Sequence, residues 1–169
     1  NYSRNKVLIK GFRENDFEVY ECKVDPIKSG GIMKFYKLYK QYRKIKDIKF
    51  DYVVVAFPGH SVVWLAYILF GRNIIFDAFV SLYNSNVQDR GKYGKFSFSS
   101  LKDIFLDWYS THLAKTVLLD TNEHIKYFSK RYHLKTDKMI RVLVGTDTDT
   151  MKPIENIKHD RFILHFHGS

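Results

Sequence analysis

Apolar positions follow two different periods along the chain, and the two kinds of segment alternate. Continuous or alternating apolar stretches predict strands at 17–22, 52–57, 73–76, 116–119, 140–144 and 162–166. Apolar residues at helical spacing predict helices at 4–13, 33–48, 61–70, 100–114 and 122–132. Strands that alternate with helices form βαβ units, so the predicted fold class is α/β, with a doubly wound, mostly parallel Rossmann-like sheet.

The connection after the strand at 73–76 is the longest one. Residues 78–99 are polar and irregular, and a loop of this length is often functional. In a parallel sheet, ligands bind at the carboxyl ends of the strands. This rule selects the residues that follow the predicted strands: Pro58-Gly59-His60, Asp77, Asp120-Thr121 and Gly145-Thr146-Asp147.

Composition and charge narrow the class of protein. The chain has 169 residues, of which 45% are hydrophobic, so it can bury a core and is not a disordered segment. Its one cysteine, Cys22, excludes an internal disulfide. The formal net charge of +10 favours an anionic partner, such as a phosphorylated substrate, nucleic acid or an anionic membrane surface. The chain begins with a helix and stops just after a strand, so we expect it to be a piece of a longer protein.

Two side chains at predicted strand ends are candidates for substrate contact. His60 follows a Pro-Gly turn, where a neutral imidazole could bond a sugar hydroxyl or a phosphate, or could be an ordinary loop histidine. Asp77 could accept hydrogen bonds from substrate hydroxyls or act as a base, or it could cap the following segment.

Further polar side chains lie in the long loop and before the helix at 122–132. Hydroxyl, aromatic and ion-pairing groups suit carbohydrate recognition, and Arg90 could clamp an anion; a solvated loop is the alternative. The helix start at Thr121 could bind an anion through backbone N–H groups, or Asp120 or Thr121 could simply cap the helix. The candidate residues of these two regions are Ser81, Tyr83, Asp89, Arg90 and Thr121.

The segment 34–46 is basic, aromatic and helical. Such a helix can lie on anionic lipid, with its rings at the interface, or can cover a sheet face with its lysines in water. The candidate membrane-surface residues are Lys34, Lys37, Lys40, Arg43 and Lys44. His165 and His167 alternate on a predicted strand, but no cysteine or carboxylate lies close in sequence to complete a metal site, so we expect no bound metal.

Several segments, in order, carry a family resemblance. They are 53–60 (Val-Val-Val-Ala-Phe-Pro-Gly-His), 75–83 (Ile-Phe-Asp-Ala-Phe-Val-Ser-Leu-Tyr), Asp89-Arg90, 117–124 (Val-Leu-Leu-Asp-Thr-Asn-Glu-His) and 144–153 (Val-Gly-Thr-Asp-Thr-Asp-Thr-Met-Lys-Pro). Together they resemble the N-terminal half of a bacterial family 4, or "group 1", glycosyltransferase. Residues 144–153 are similar to the link between the two domains of that family.

The resemblance implies the N-terminal half of a GT-B fold, in which two Rossmann-like domains face each other across a cleft. Residues 1–153 would form the acceptor-side domain, and residues 154–169 the linker and first strand of a second domain. The implied reaction is retaining transfer from a nucleotide-diphosphate sugar to a glycan or glycolipid acceptor in cell-surface synthesis, with no metal or other cofactor. Gly168 would approach the donor phosphates. The implied location is cytoplasmic, peripheral on the inner face of the membrane if the basic helix meets lipid.

Departures from the family pattern limit what can be carried over. Relatives often have a histidine where this chain has Asp77, so no catalytic residue is assigned. The link has Thr146 in place of an apolar residue and Met151 in place of phenylalanine. Without the donor-binding domain, the chain alone is expected to be inactive. Two alternatives stay open: a basic Rossmann-like nucleic-acid-binding module, although no nucleic-acid motif is present, and a non-catalytic subunit of a split transferase.

Overall fold

A four-stranded parallel sheet forms the centre of the molecule. A computed structural model describes residues 2–25, 29–146, 149, 152 and 162. The strands lie in the order β1-β2-β3-β4, and every neighbouring pair is parallel. Their bounds are β1 (Val53–Val55), β2 (Ile74–Phe79), β3 (Thr116–Leu119) and β4 (Met139–Arg141).

Helices connect the strands and precede them. They are α1 (Ser3–Glu14), α2 (Met33–Tyr42), α3 (Val63–Phe70), α4 (Phe98–Leu113) and α5 (Asn122–Tyr132), with 3-10 turns at Gly59–Val62 and Thr136–Lys138 and a π-helical segment at Asn84–Asp89. The helices α3, α4 and α5 are the crossovers between successive strands, and all three contribute to one hydrophobic core. Within the described ranges, every helix is too short or too polar to cross a membrane.

The core lies on one face of the sheet, because alternate strand residues point to the same side. Ile74, Phe76 and Ala78 of β2 are fully buried. The register places Val55 of β1 and Val117 of β3 beside Phe76, so the three strands present one apolar surface to the crossover helices. The helices and the turns beside them fill that side with Val63, Ala114, Phe128, Tyr132 and Leu134.

The opposite face of the sheet is less covered. Val54 and Ile75 are half-buried there, and Ile140 of β4 is exposed. The N-terminus of α1 reaches the carboxyl end of this face, where Arg4 pairs with Asp77. Helices therefore flank the sheet, with the crossover helices on the core face and α1 on the opposite face.

The predicted α/β class and the parallel sheet are confirmed. The four described strands succeed one another in a single direction, so the reversal of strand order that defines a doubly wound sheet is not found among them. The strand at 116–119 and the helix at 122–132 have the predicted bounds. Of the segment 154–169, only Phe162 is among the described residues. The predicted strand at 162–166 and Gly168 therefore lie outside them, Phe162 excepted.

Other predicted elements were wrong in kind or length. The segment 17–22 is not a strand: Phe17 packs its ring on Phe12 and Tyr20 on Phe50, so its alternating pattern reflects contacts with α1 and with the chain before β1 rather than strand pairing. The helix predicted at 33–48 ends at Tyr42 and continues as turns.

The predicted loop at 78–99 is partly regular. The strand β2 continues through Asp77 to Phe79, and the π-helical segment Asn84–Asp89 follows. Polar groups of this segment form hydrogen bonds to buried carboxylates of α4. The backbone N–H groups of Leu82 and Tyr83 donate to Asp107, and Asn86 Nδ2 donates to Asp103.

Candidate functional site

The N-terminus of α1 ties together the carboxyl ends of three strands. The guanidinium of Arg4 donates from Nε and Nη2 to the carboxylate of Asp77 at 2.8–3.1 Å. Its Nη1 donates to the carbonyl of Val142, just after β4, at 2.9 Å. Asn5 Nδ2 donates to the carbonyl of Phe57, after β1, at 2.6 Å. One helix end therefore fixes the loops that a ligand at this edge would meet.

The ion pair of Arg4 and Asp77 is almost completely buried. The side chain of Arg4 is 5% exposed and that of Asp77 is 0% exposed. Such a pair is costly to desolvate and persists only with complete hydrogen bonding, which the carbonyl of Val142 helps to supply. The carboxylate of Asp77 lies inside β2, so it does not cap the next segment and presents no oxygen at the surface.

The backbone at the end of β2 is strained. Phe79 has φ of 60°, in the left-handed region that a bulky residue rarely adopts, and the pairing register shifts between Asp77 and Phe79. The ring of Phe79 contacts Phe57 at 5.3 Å between centroids, and the guanidinium carbon of Arg4 lies 4.9 Å from it. The irregularity turns the chain out of the sheet towards Ser81.

The carboxylate of Asp107, on α4, is the centre of a second buried cluster. It accepts hydrogen bonds from Ser81 Oγ at 2.6 Å, from the backbone N–H groups of Leu82 and Tyr83 at 3.0 and 3.1 Å, and from Tyr132 Oη at 3.1 Å. Asp107 thus binds the first N–H groups of the helical turn at 82–89, as an anion binds a helix N-terminus. Burial raises the pKa of Asp107 to about 6, although these hydrogen bonds oppose the rise.

The imidazole of His60 lies against this cluster. It is 1% exposed and packs on the rings of Phe57 and Phe76. Nε2 lies 3.4 Å from Oδ1 of Asp107 without hydrogen-bond geometry, and neither ring nitrogen has a partner within the described part of the chain. Burial lowers the pKa of His60 to about 3, so the ring is neutral at physiological pH.

The remaining predicted acceptor residues have different surroundings. Tyr83 is buried, and the guanidinium carbon of Arg131 lies 4.7 Å from its ring centroid. Asp89 and Arg90 are exposed, and no ion pair between them is present among the described residues. Thr121 caps α5, because its Oγ1 accepts from the backbone N–H of His124 at 3.1 Å.

The structure therefore brings some predicted residues together and separates others. His60, Ser81 and Tyr83 meet at Asp107, while Asp77 pairs with Arg4 on the other side of the strand ends. Asp89, Arg90 and Thr121 are exposed and lie outside both buried clusters. That these residues bind an acceptor stays a prediction.

Two features of this edge were missed from the sequence. Asp107 and Arg4 each lie in a helix at a position that the apolar spacing left on the polar side, so their burial had no signal in the pattern. A pair formed by Asp120 Oδ1 and His124 Nδ1 lies after β3, with the two side chains 15% and 23% exposed. Its signal was available: a carboxylate and a histidine four residues apart across a helix start.

The predicted membrane-surface residues lie in α2 and in the turn that follows it, and they differ in burial and in hydrogen bonding. Lys34 donates to Ser61 Oγ at 2.7 Å and Lys37 to Ser29 Oγ at 2.6 Å, and both are half-buried. Lys40, Arg43 and Lys44 are exposed. Across the described residues, no group of three or more His, Cys, Asp or Glu side chains could hold a metal ion.

Comparison with known proteins adds no identification. No protein-family model, curated protein sequence or solved structure matches the chain significantly.

Proposed function

We propose that the chain is the acceptor-side half of a retaining glycosyltransferase that uses a nucleotide-diphosphate sugar. The observation that carries the proposal is spatial. Three of the segments with the family resemblance end in residues that follow three neighbouring parallel strands, at 58–60, 80–83 and 120–124, and these residues share the carboxyl end of the sheet. This is the edge at which open α/β sheets bind their ligands.

The buried and exposed groups at this edge would divide the work. Three sets of hydrogen bonds hold the strand ends in one arrangement, which lowers the entropy cost of binding: Asn5 bonds the chain after β1, the Asp107 cluster the chain after β2, and the buried Arg4–Asp77 pair the chain after β4. The exposed Asp89 and Arg90 would supply hydrogen bonds to a glycan or glycolipid acceptor. His60 and Asp77 are positioning groups in this account, since neither has an accessible polar atom.

The partly exposed pair of Asp120 and His124 adds a further polar group at this end of the sheet. Its hydrogen bond leaves the second ring nitrogen, Nε2, free of a partner among the described residues, and the pair stands at the same edge. A histidine oriented by a carboxylate suits the deprotonation or anchoring of an acceptor hydroxyl. The donor sugar would be held by a second domain, so this chain alone would bind an acceptor and transfer nothing.

Acceptor binding tests the proposal directly. The purified chain is applied to an array of glycans and lipid-linked oligosaccharides, as wild type and as the double variant Asp89→Ala/Arg90→Ala. The control is Lys46→Ala/Asp47→Ala, which removes another adjacent exposed cation and carboxylate that precede β1 and so lie towards the opposite edge of the sheet.

The proposal predicts binding to a subset of glycans, at least tenfold weaker in the Asp89/Arg90 variant and unchanged in the control. Absence of glycan binding together with tight RNA or DNA binding that weakens steeply with salt would contradict it, because such behaviour is typical of a nucleic-acid module.

A further inference from the structure

The core covers only some of the apolar residues of α4, among them Ile104 and Leu113. The helix buries polar side chains, and it exposes large apolar ones at spacings of three and four residues, which lie on one face of a helix. Its buried residues are Ser100, Asp103, Asp107, Ser110 and Thr111. Its exposed apolar residues are Phe98, Leu101, Phe105 and Trp108.

The buried polar side of α4 has a structural explanation. Asp107 binds the turn at 82–83, and Asp103 accepts from Asn86 Nδ2 at 2.8 Å and from the hydroxyl of Tyr93. Ser100 Oγ donates to the carbonyl of Lys95 at 2.7 Å. These bonds organise the segment 81–97 and account for the polar residues inside. They give no reason for the apolar residues outside.

The exposed apolar side is extensive. Phe98 is 86% exposed, and Phe96, just before the helix, is 92% exposed. The ring centroids of Phe105 and Trp108 lie 6.1 Å apart, so the two rings form a continuous surface. We call Phe96, Phe98, Leu101, Phe105 and Trp108 the α4 outer face. A run of exposed aromatic residues this long marks an interaction surface, since monomeric proteins rarely leave one in water.

The charges around α4 indicate which kind of partner would cover the α4 outer face. In the segment 91–113, which runs from the loop before α4 to the end of the helix, the only acidic residues are Asp103 and Asp107, and both are buried. The lysines of the same segment are exposed: Lys92, Lys95 and Lys102. The segment therefore offers water an apolar, aromatic and cationic surface with no exposed carboxylate.

We propose that the α4 outer face docks on an anionic lipid bilayer. Phenylalanine and tryptophan insert at the boundary between headgroups and acyl chains, and the neighbouring lysines contact anionic headgroups. The site differs from the one predicted on α2, where Lys34 and Lys37 are engaged with serine hydroxyls. The proposal does not depend on the glycosyltransferase function, because it rests only on the α4 outer face and the lysines beside it.

Tryptophan fluorescence reports directly on the site. The chain has two tryptophans, Trp64 and Trp108. In the Trp64→Phe variant, Trp108 is the only one, and its emission is measured with vesicles of phosphatidylcholine alone and of phosphatidylcholine with phosphatidylglycerol. Docking predicts a blue shift with the anionic vesicles, quenching by brominated acyl chains, and little change with the neutral vesicles.

Two matched variants locate the surface in a vesicle sedimentation assay. Leu101→Ser/Phe105→Ser removes apolar area from the α4 outer face, and Met33→Ser/Tyr36→Ser removes similarly exposed side chains from α2. All four side chains are exposed, so circular dichroism is expected to show both variants folded. The proposal predicts at least a tenfold loss of partitioning for the α4 variant and less than a twofold change for the α2 variant.

Three results would overturn the proposal. One is Trp108 emission that does not respond to anionic vesicles. Another is equal partitioning of the wild type and the α4 variant. The third is a concentration-dependent dimer without lipid binding that the α4 substitutions dissociate, which would assign the face to a second copy of this chain.

Discussion

Replacing His60 by leucine is expected to expose a pH dependence of stability that the wild-type chain conceals. The imidazole is fully buried, neither nitrogen has a partner among the described residues, and Asp107 Oδ1 lies 3.4 Å from Nε2. Leucine has a similar volume and has no polar atom to satisfy. The His60→Leu variant therefore keeps the packing against Phe57 and Phe76 and removes one of two opposed titrations.

The sign follows from the two pKa shifts. Burial raises the pKa of Asp107 from 3.8 to about 6, so its contribution to stability is present below 3.8 and is lost as the pH rises through about 6. Burial lowers the pKa of His60 from 6.5 to about 3, so its contribution is present above 6.5 and is lost as the pH falls through about 3. Between about pH 4 and 6 the unfolded state holds a proton on His60 and the folded state holds one on Asp107, so the two slopes cancel.

The expected magnitude is large. At about 1.4 kcal/mol for each pKa unit, the shift of Asp107 corresponds to about 3 kcal/mol. The His60→Leu variant is therefore expected to lose about 3 kcal/mol of unfolding free energy, relative to the wild type, between about pH 4 and 6.

Urea unfolding followed by tryptophan fluorescence measures this difference at a series of pH values. Other titrating groups affect both proteins alike, so the difference between the two curves isolates the pair. A flat difference would refute the reasoning, since it would mean that His60 is charged in the folded state and paired with Asp107. Titration of the His60 ring protons by NMR between about pH 5 and 8 in the wild type would lead to the same rejection.

Three further substitutions test the packing of the strand ends by urea unfolding. Arg4→Met is expected to lower the unfolding free energy by about 3–5 kcal/mol, because it leaves the buried carboxylate of Asp77 unpaired; a loss below about 1 kcal/mol would show that the pair is hydrated. Gly59→Ala places a Cβ 2.4 Å from Cγ1 of Val55 and is expected to cost about 1–3 kcal/mol, recovered in part by Val55→Ala, whereas an unchanged midpoint would mean that the turn can move. Thr121→Ala removes the cap of α5 at a cost of about 1 kcal/mol, while Thr121→Ser is expected to retain the cap.

The sequence was sufficient where one local signal decided the structure. The helix Asn122–Tyr132 carries its own cap in Thr121 and an apolar face that ends at Tyr132, and its bounds were predicted correctly. The strand Thr116–Leu119 is a short apolar run with both faces covered, and it was predicted equally well. In both cases propensity, pattern and packing agree.

Long-range contacts decided the parts that the sequence did not reveal. The alternation at 17–22 resembles a strand, yet the segment pairs with none of the described strands, and its rings pack on Phe12 and Phe50 instead. The loop after β2 is ordered by carboxylates of α4 that are more than fifteen residues away in sequence. The same carboxylates explain why α4 buries polar residues on the side that faces this loop, an arrangement that the apolar spacing alone does not reveal.

The sequence predicted where the candidate site lies in the fold, but it did not predict which side chains contact one another there. The rule that ligands bind at the carboxyl ends of parallel strands selected His60, Asp77 and Thr121, and all three lie at that edge. Burial of the first two depends on Arg4 and Asp107, which come from distant helices. No spacing rule connects residues 73 positions apart such as Arg4 and Asp77.

The central claim is that this chain is the acceptor-side half of a nucleotide-sugar transferase, and one assay tests it most directly. The full-length gene product is incubated with a panel of nucleotide-diphosphate sugars, with and without an extract of glycans and glycolipids, and the released nucleoside diphosphate is measured. The account predicts release that requires the extract and falls at least tenfold in the Asp89→Ala/Arg90→Ala variant. Release that is absent with every sugar, or that does not depend on any acceptor, would contradict it.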